Sequence, residues 1–290
     1  MKTLLVAIHG ILTNQTNASW PDKLDAWMFD YDPEIKVLKK EYRAGPFPRW
    51  NCRVKDPHLA ASLANELELF LNPRFNDSTV QPFNVRPSLW FVAHSNGAVI
   101  ALLTAKILIE RGYPVACLIL TGAACEADIA KNGILDWLGK GTLAAAIAYS
   151  SQDDKVVAGD PNHLAIDSRP SALDRVKSWV WGKLMHPYGC LGRTGWLLND
   201  WPLPASLHSS SGPKHEPLPS CPTAFTRWYK GGHSTYFKTD SFDSTFRQIL
   251  RDINSVSAAF RLRKSPGLRS VTRHQSSKHT SPRPEAISHR

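Results

Sequence analysis

Three residues in this chain have the types, and the order along it, for nucleophilic chemistry. Ser95 lies in the stretch Val92-Ala93-His94-Ser95-Asn96-Gly97-Ala98, an acid follows at Asp153 or Asp154, and an imidazole comes last at His233. An alcohol is a poor nucleophile near neutral pH, so attack by Ser95 needs a base within hydrogen-bond reach to take its proton. Imidazole suits that task. The base in turn needs a carboxylate that fixes its tautomer and stabilises its cation, the task open to either aspartate. Attack on a carbonyl also builds charge on oxygen, which backbone N–H groups aimed at that point stabilise. The N–H of Asn96 is placed for this, and the turn after His9-Gly10 offers a second donor, the N–H of Ile11, because a glycine lets the chain fold close to a substrate.

These side chains work only if a scaffold converges them. Ser95 follows the apolar run Leu89-Trp90-Phe91, and its neighbours two places away, Ala93 and Gly97, are small. That pattern fits a strand turning sharply into a helix, with the tip residue in strained backbone angles and its side chain projecting above the sheet. The plainer alternative is a strand ending in an ordinary serine-containing turn. Strands are expected over 3–8, 35–42, 89–93, 115–121 and 143–149. Helices are expected over 59–71, where Leu59, Leu63, Leu67 and Phe70 have helical spacing, over 97–111, which is apolar nearly all round, and over 126–138. Unbroken apolar strands alternating with helices predict a mostly parallel sheet covered on both faces, with its ligand site at the carboxyl ends of the strands. His9-Gly10, Ser95 and Gln152-Asp153-Asp154 all fall at such ends.

Beyond Val157 the alternation breaks. A helix is expected over 168–185, and an irregular, proline-rich segment over 197–222 with Pro202, Pro204, Pro213, Pro217, Pro219 and Pro222. The segment 158–222 reads as a long insertion between the acid and the histidine. Its Trp179, Trp181, Trp196 and Trp201, with Leu184, Met185 and Leu197, either cap an apolar pocket above the strand ends or pack the insertion onto the body. An extended run over 224–229 and a final helix over about 242–260 complete the domain, residues 1–260.

Composition narrows the setting. With 290 residues, 42% of them hydrophobic, the chain can bury one large α/β core. Its net charge of +10 is uneven. From Arg261 onward, Lys and Arg face Glu285 alone, so residues 261–290 read as a solvated basic extension able to touch an anionic partner, while the near-neutral body gives no sign of a nucleic-acid face. The odd number of cysteines, five, and the absence of any CxxC pair argue against a metal site or a complete disulfide framework and fit a cytoplasmic setting. The first apolar run is too short for a signal peptide or a membrane span.

Taken together, the motifs resemble the α/β-hydrolase superfamily. They are the His-Gly turn after an early strand, the small-x-Ser-x-Gly elbow between a strand and a buried helix, the acid after a later strand, and the histidine before the last helix. The match covers roughly residues 1–255 and departs from the family pattern at Ala93, which stands where the family has its first glycine. The resemblance implies the α/β-hydrolase fold, Ser95 as nucleophile, His233 as general base and then acid, and the backbone of Ile11 and Asn96 as oxyanion hole. It favours Asp154 over Asp153, because Asp154-Lys155-Val156-Val157 fits the family's Asp-x-Val-Val register; Asp128 and Asp160 stand as further alternatives. His94 is expected to be a packed, hydrogen-bonded neighbour, and His9 to shape its loop. The implied activity is cleavage of a carboxylic ester, or a thioester, in a small-molecule or lipid-like substrate, through an acyl-enzyme and without metal or cofactor. Acyl transfer on the same triad and a non-catalytic binding module are the rival readings.

Overall fold

The computed structural model of the protein describes residues 3–10, 20–42, 55–72, 87–154, 156–157, 189–199, 201–202, 224–233, 235–238 and 242–264. Five strands come first: β1 (Thr3–Ile8), β2 (Ile35–Lys40), β3 (Ser88–His94), β4 (Val115–Thr121) and β5 (Leu143–Ser150). A two-residue hairpin, β6 (Leu197–Leu198) with β7 (Trp201–Pro202), and then β8 (Ala224–Trp228) follow. The described sheet has six strands in the order β2-β1-β3-β4-β5-β8, every neighbouring pair parallel. The expected strands return almost residue for residue, those inside the sheet because a strand buried on both faces must be written as an unbroken apolar run, while β2, exposed at alternate residues, ends at Lys40 rather than 42.

Alternate side chains divide the core. Leu4, Val6, Ile8, Leu89, Phe91, Ala93, Leu118 and Leu120 face one layer, packed by α2 (Asp56–Leu71), α3 (Gly97–Glu110) and α4 (Ile134–Gly139). Leu5, Ala7, Trp90, Val92, Ile119, Ile147 and Tyr149 face the other, packed by α1 (Trp20–Tyr31) and α6 (Phe242–Lys264). A short helix, α5 (Leu191–Thr194), precedes the hairpin. β2 closes one side of the described sheet and carries Lys36, Lys39 and Lys40. Lys39 bonds Asp22 and Asp25 of α1, and Lys40 pairs with Glu66 of α2.

Two expectations change. The helix expected over 126–138 shrinks to α4, because the preceding residues take other bonds. The Asp128 carboxylate accepts the N–H groups of Ala130 and Lys131, and Gly133 is left-handed at φ 83°. Leu197 exchanges backbone bonds with Ala127 and Ile129 at 2.9 Å each, stitching the insertion to this stretch. In addition, α1 fills a region where the sequence reading assigns no element. Its Trp20, Leu24 and Met28 recur every four residues and are buried.

Part of the insertion lies in the core. Leu191, Trp196 and Leu197 are buried, with Trp196 Nε1 donating to the carbonyl of Ala146 and its backbone N–H to Thr226 Oγ1. For Trp196 and Leu197, then, packing onto the body is what the structure shows. Trp179, Trp181, Leu184, Met185 and the helix expected over 168–185 lie outside the described residues, as do Cys52 and Cys221; of the extension expected over 261–290, residues 261–264 continue α6 and the remainder lies outside the described residues. On the far side of the sheet, Asp252 of α6 accepts from Tyr149 Oη at 2.6 Å and from Arg227 Nε at 2.9 Å, tying α6 to β5 and β8.

Candidate active site

The sheet register brings the candidate residues to one rim. Ile8 pairs with Ala93, His94 with Thr121, Thr121 with Tyr149, and Ser150 with Trp228, so the chain leaves β1, β3, β4, β5 and β8 at the same end. Ser95 follows β3 directly. Its φ is 56°, a left-handed angle that costs a non-glycine residue on the order of 1–3 kcal/mol. The backbone around it holds that angle: its N–H donates to the carbonyl of Thr121, and its own carbonyl accepts from Ala98 and Ala124, each at 3.1 Å.

Two glycines allow this geometry. A Cβ on Gly97 would lie 2.5 Å from the carbonyl oxygen of His9 and 2.8 Å from that of Ile8, so only a bare Cα lets α3 begin this close to β1. A Cβ on Gly10 would lie 2.8 Å from that of Ser95. The His-Gly turn and the Ser-x-Gly elbow are therefore in contact. The elbow, inserted between a central parallel strand and a buried helix, decides the architecture.

The chain has the α/β-hydrolase fold. In the fold's expected order after the elbow, an acid follows β5 and a histidine follows β8. His233 Nδ1 donates to Asp154 Oδ2 at 2.8 Å, with the Asp154 side chain fully buried and that of His233 12% exposed. The second carboxylate oxygen of Asp154 accepts the N–H groups of Val156 at 3.0 Å and Val157 at 3.2 Å. Both oxygens are thus engaged and the carboxylate is held in one orientation, the Asp-x-Val-Val turn supplying two of its three bonds. Asp153 is turned away. Its Oδ2 accepts the N–H of Gly231 at 3.1 Å, so it braces the histidine loop without touching the imidazole. Ser151 Oγ donates to the carbonyl of Gly231 beside it. Asp128 is spent on its own turn, and Asp160 lies outside the described residues.

Among the described residues the Ser95 hydroxyl makes no hydrogen bond, to His233 or to any other group. Such contacts commonly tighten only when substrate is bound. The backbone N–H of Asn96 likewise donates to no described acceptor and opens at the start of α3. Ile11, the other expected oxyanion donor, lies outside the described residues, though Gly10 before it abuts the elbow. His9 Nδ1 bonds the carbonyl of Gly10 at 3.0 Å, the loop-shaping role expected of it.

Sequence reasoning missed one support, and for the other, His94, expected a packed, hydrogen-bonded neighbour without naming its partner. The Asn96 side chain donates to Tyr42 Oη at 3.0 Å and to Asp56 Oδ1 at 3.3 Å, which anchors the residue after the nucleophile to α2. His94 is buried, and its Nε2 bonds the carbonyl of His233 at 3.0 Å. Burial, reinforced by the neighbouring His233 ring, pushes the pKa of His94 down to about 3. Burial also lowers that of His9. Tyr236 is buried nearby, and burial together with the Asp154 carboxylate raises its phenol, which stays protonated.

No family model matches the sequence, and neither does any curated protein. Solved structures similar to this hydrolase-fold chain include the NocB thioesterase domain from the nocardicin cluster, at 15% identity over 88% of this chain and 95% of that one, with a TM-score of 0.39. The RedJ thioesterase from the prodiginine biosynthetic pathway in Streptomyces coelicolor is 14% identical over 87% of this chain and 86% of that one, with a TM-score of 0.39. MGS-MChE2, an alpha/beta hydrolase enzyme from the metagenome of lagoon sediments at Mar Chica, Morocco, is 15% identical over 89% and 93%, with a TM-score of 0.38. The fold assignment rests on the chain's own sheet order and elbow. No metal-ligating cluster and no helix long and apolar enough to cross a membrane occur among the described residues.

Proposed function

We propose that the protein is a serine hydrolase that cleaves an acyl ester or thioester through an acyl-enzyme, with Ser95 as nucleophile, His233 as base and Asp154 as the acid orienting it. The observation that carries this reading is the buried Asp154–His233 bond beside a serine held at positive φ on a strand-to-helix elbow. As Ser95 Oγ bonds to the acyl carbon, its proton passes to His233 Nε2 and the carbonyl electrons move onto oxygen. The resulting anion is met by the N–H of Asn96 and, in this proposal, of Ile11, each donor lowering the barrier by roughly 3–4 kcal/mol. Collapse of that intermediate expels the alcohol or thiol, which takes the proton from His233. Water, deprotonated by the same imidazole, then attacks the acyl-enzyme, and as the second intermediate collapses His233 returns that proton to the departing Ser95 Oγ and the carboxylic acid is released.

A fluorophosphonate probe tests the reading, because its phosphorus replaces the acyl carbon and its oxygen fills the oxyanion hole. The wild type is expected to carry the probe on Ser95 and to turn over esters or thioesters in a panel of short and long acyl chains. Ser95→Ala is expected to lose both while its stability stays within about 1 kcal/mol of wild type, since a strand-end hydroxyl contributes little packing. Labelling that persists in Ser95→Ala moves the nucleophile elsewhere. A folded wild type with neither labelling nor turnover supports the binding-module reading instead.

A further inference from the structure

The residue beside the nucleophile is joined to the base. His94 is the last residue of β3, in the rigid middle of the sheet, and its side chain reaches across to a loop 139 positions later in the chain. We infer that His94 is a positioning residue: by donating Nε2–H to the main-chain carbonyl of His233, it fixes where the His233 imidazole stands relative to Ser95. This rests on the proposed roles of Ser95 and His233.

Three observations carry the inference. A carbonyl oxygen can only accept, so the bond defines the tautomer of His94, with its one proton on Nε2. The ring itself is clamped. It lies 4.8 Å from the His233 ring at 40°, meets Phe237 edge-on at 5.5 Å and 88°, and meets Tyr236 at 6.5 Å and 63°. Finally, among the described residues the other side-chain hydrogen bonds to Gly231 and His233 come from the turn after β5, from Ser151 and Asp153 at Gly231 and from Asp154 at His233, while Phe237 just beyond stacks on Trp20 of α1 at 4.2 Å. His94 supplies the hold from β3, the strand that carries Ser95. One side chain therefore sets nucleophile and base against a common reference. Its burial keeps it uncharged through the working pH range, so no like charge faces His233 when that ring takes up a proton.

The test compares His94→Phe, which keeps a ring and removes the donor, with His94→Gln, which restores an N–H of similar reach. Two readouts are needed: steady-state hydrolysis of a p-nitrophenyl ester, and the low-field proton resonance of the Asp154–His233 bond, which requires no turnover. In His94→Phe, kcat is expected to fall about 10- to 100-fold with KM nearly unchanged, the penalty of a base displaced by a fraction of an ångström to one ångström. The resonance is expected to broaden or vanish. His94→Gln is expected to recover most of both. Wild-type kcat and a sharp resonance in His94→Phe overturn the proposal. So does a folded His94→Gln as impaired as His94→Phe, since the donor would then not be what matters. If the wild type proves inactive, the proposed function falls while the resonance still decides: kept in His94→Phe it refutes the positioning role, and lost there but restored in His94→Gln it supports it.

Discussion

At the scale of single residues, the two adjacent aspartates show how one position along a turn separates two tasks. Asp154 is fully buried, with one oxygen on two backbone N–H groups and the other on His233. Asp153 is exposed and reaches only the main chain of Gly231. Asp154→Asn is expected to lower kcat on the order of 10⁴-fold, because an amide at that place favours the wrong imidazole tautomer. Asp153→Asn keeps a carbonyl acceptor for Gly231 and is expected to change kcat only slightly. Steady-state kinetics of the pair on one ester checks the ranking, and the reverse order would reassign the acid.

At the scale of elements, the elbow depends on how closely α3 approaches β1. Gly97→Ala places a methyl group against the carbonyl oxygens of Ile8 and His9, neither of which can move without disturbing β1, so a loss of about 1–3 kcal/mol or more is expected. Gly139→Ala at the end of α4 meets no atom within 4 Å and is expected to be neutral or to stabilise by up to about 1 kcal/mol. Urea unfolding of the two variants distinguishes a general dislike of alanine from the close approach. The same contrast explains what the sequence could disclose. Ser95, an aspartate at 153 or 154 and His233 could be named as candidates because each follows the end of a strand, and strands buried on both faces are plain in the sequence; the family's Asp-x-Val-Val register then favoured Asp154. His94 to His233 and Asn96 to Tyr42 and Asp56 were not legible, since these contacts join residues 139, 54 and 40 positions apart and no local pattern encodes them. α1 escaped notice for another reason. Phe29 and Tyr31 are exposed on it, so its apolar residues do not form the single stripe that marks an amphipathic helix. The stretch before α4 deceived because its apolar spacing is helical while Asp128 and Gly133 bend the backbone otherwise.

At the scale of the whole molecule, burying histidines beside the site makes stability depend on pH. His94 has a pKa of about 3 when folded, against an ordinary 6.5, so below about pH 6.5 the unfolded chain binds a proton that the folded protein refuses. The stability associated with this group is fully present above 6.5 and is lost as the pH falls toward 3, at about 1.4 kcal/mol per pH unit, or about 2 kcal/mol by pH 5. His9, lowered for the same reason, adds in the same direction. Urea unfolding across this range is expected to show the slope, and His94→Gln is expected to remove one proton's share of it. The lysines of β2 have a consequence of a different kind. Among the described residues β2 has a strand neighbour on one side only, and such a strand presents a row of unpaired backbone groups to any other chain; here Ile35, Val37 and Leu38 are interrupted by Lys36, Lys39 and Lys40. A second copy attempting to add itself there sets lysine against lysine and crowds the ion pairs that Lys39 makes with Asp22 and Asp25 and Lys40 with Glu66. Replacing all three with threonine is expected to leave turnover per folded molecule intact while raising light scattering at high protein concentration, as copies begin to stack edge to edge.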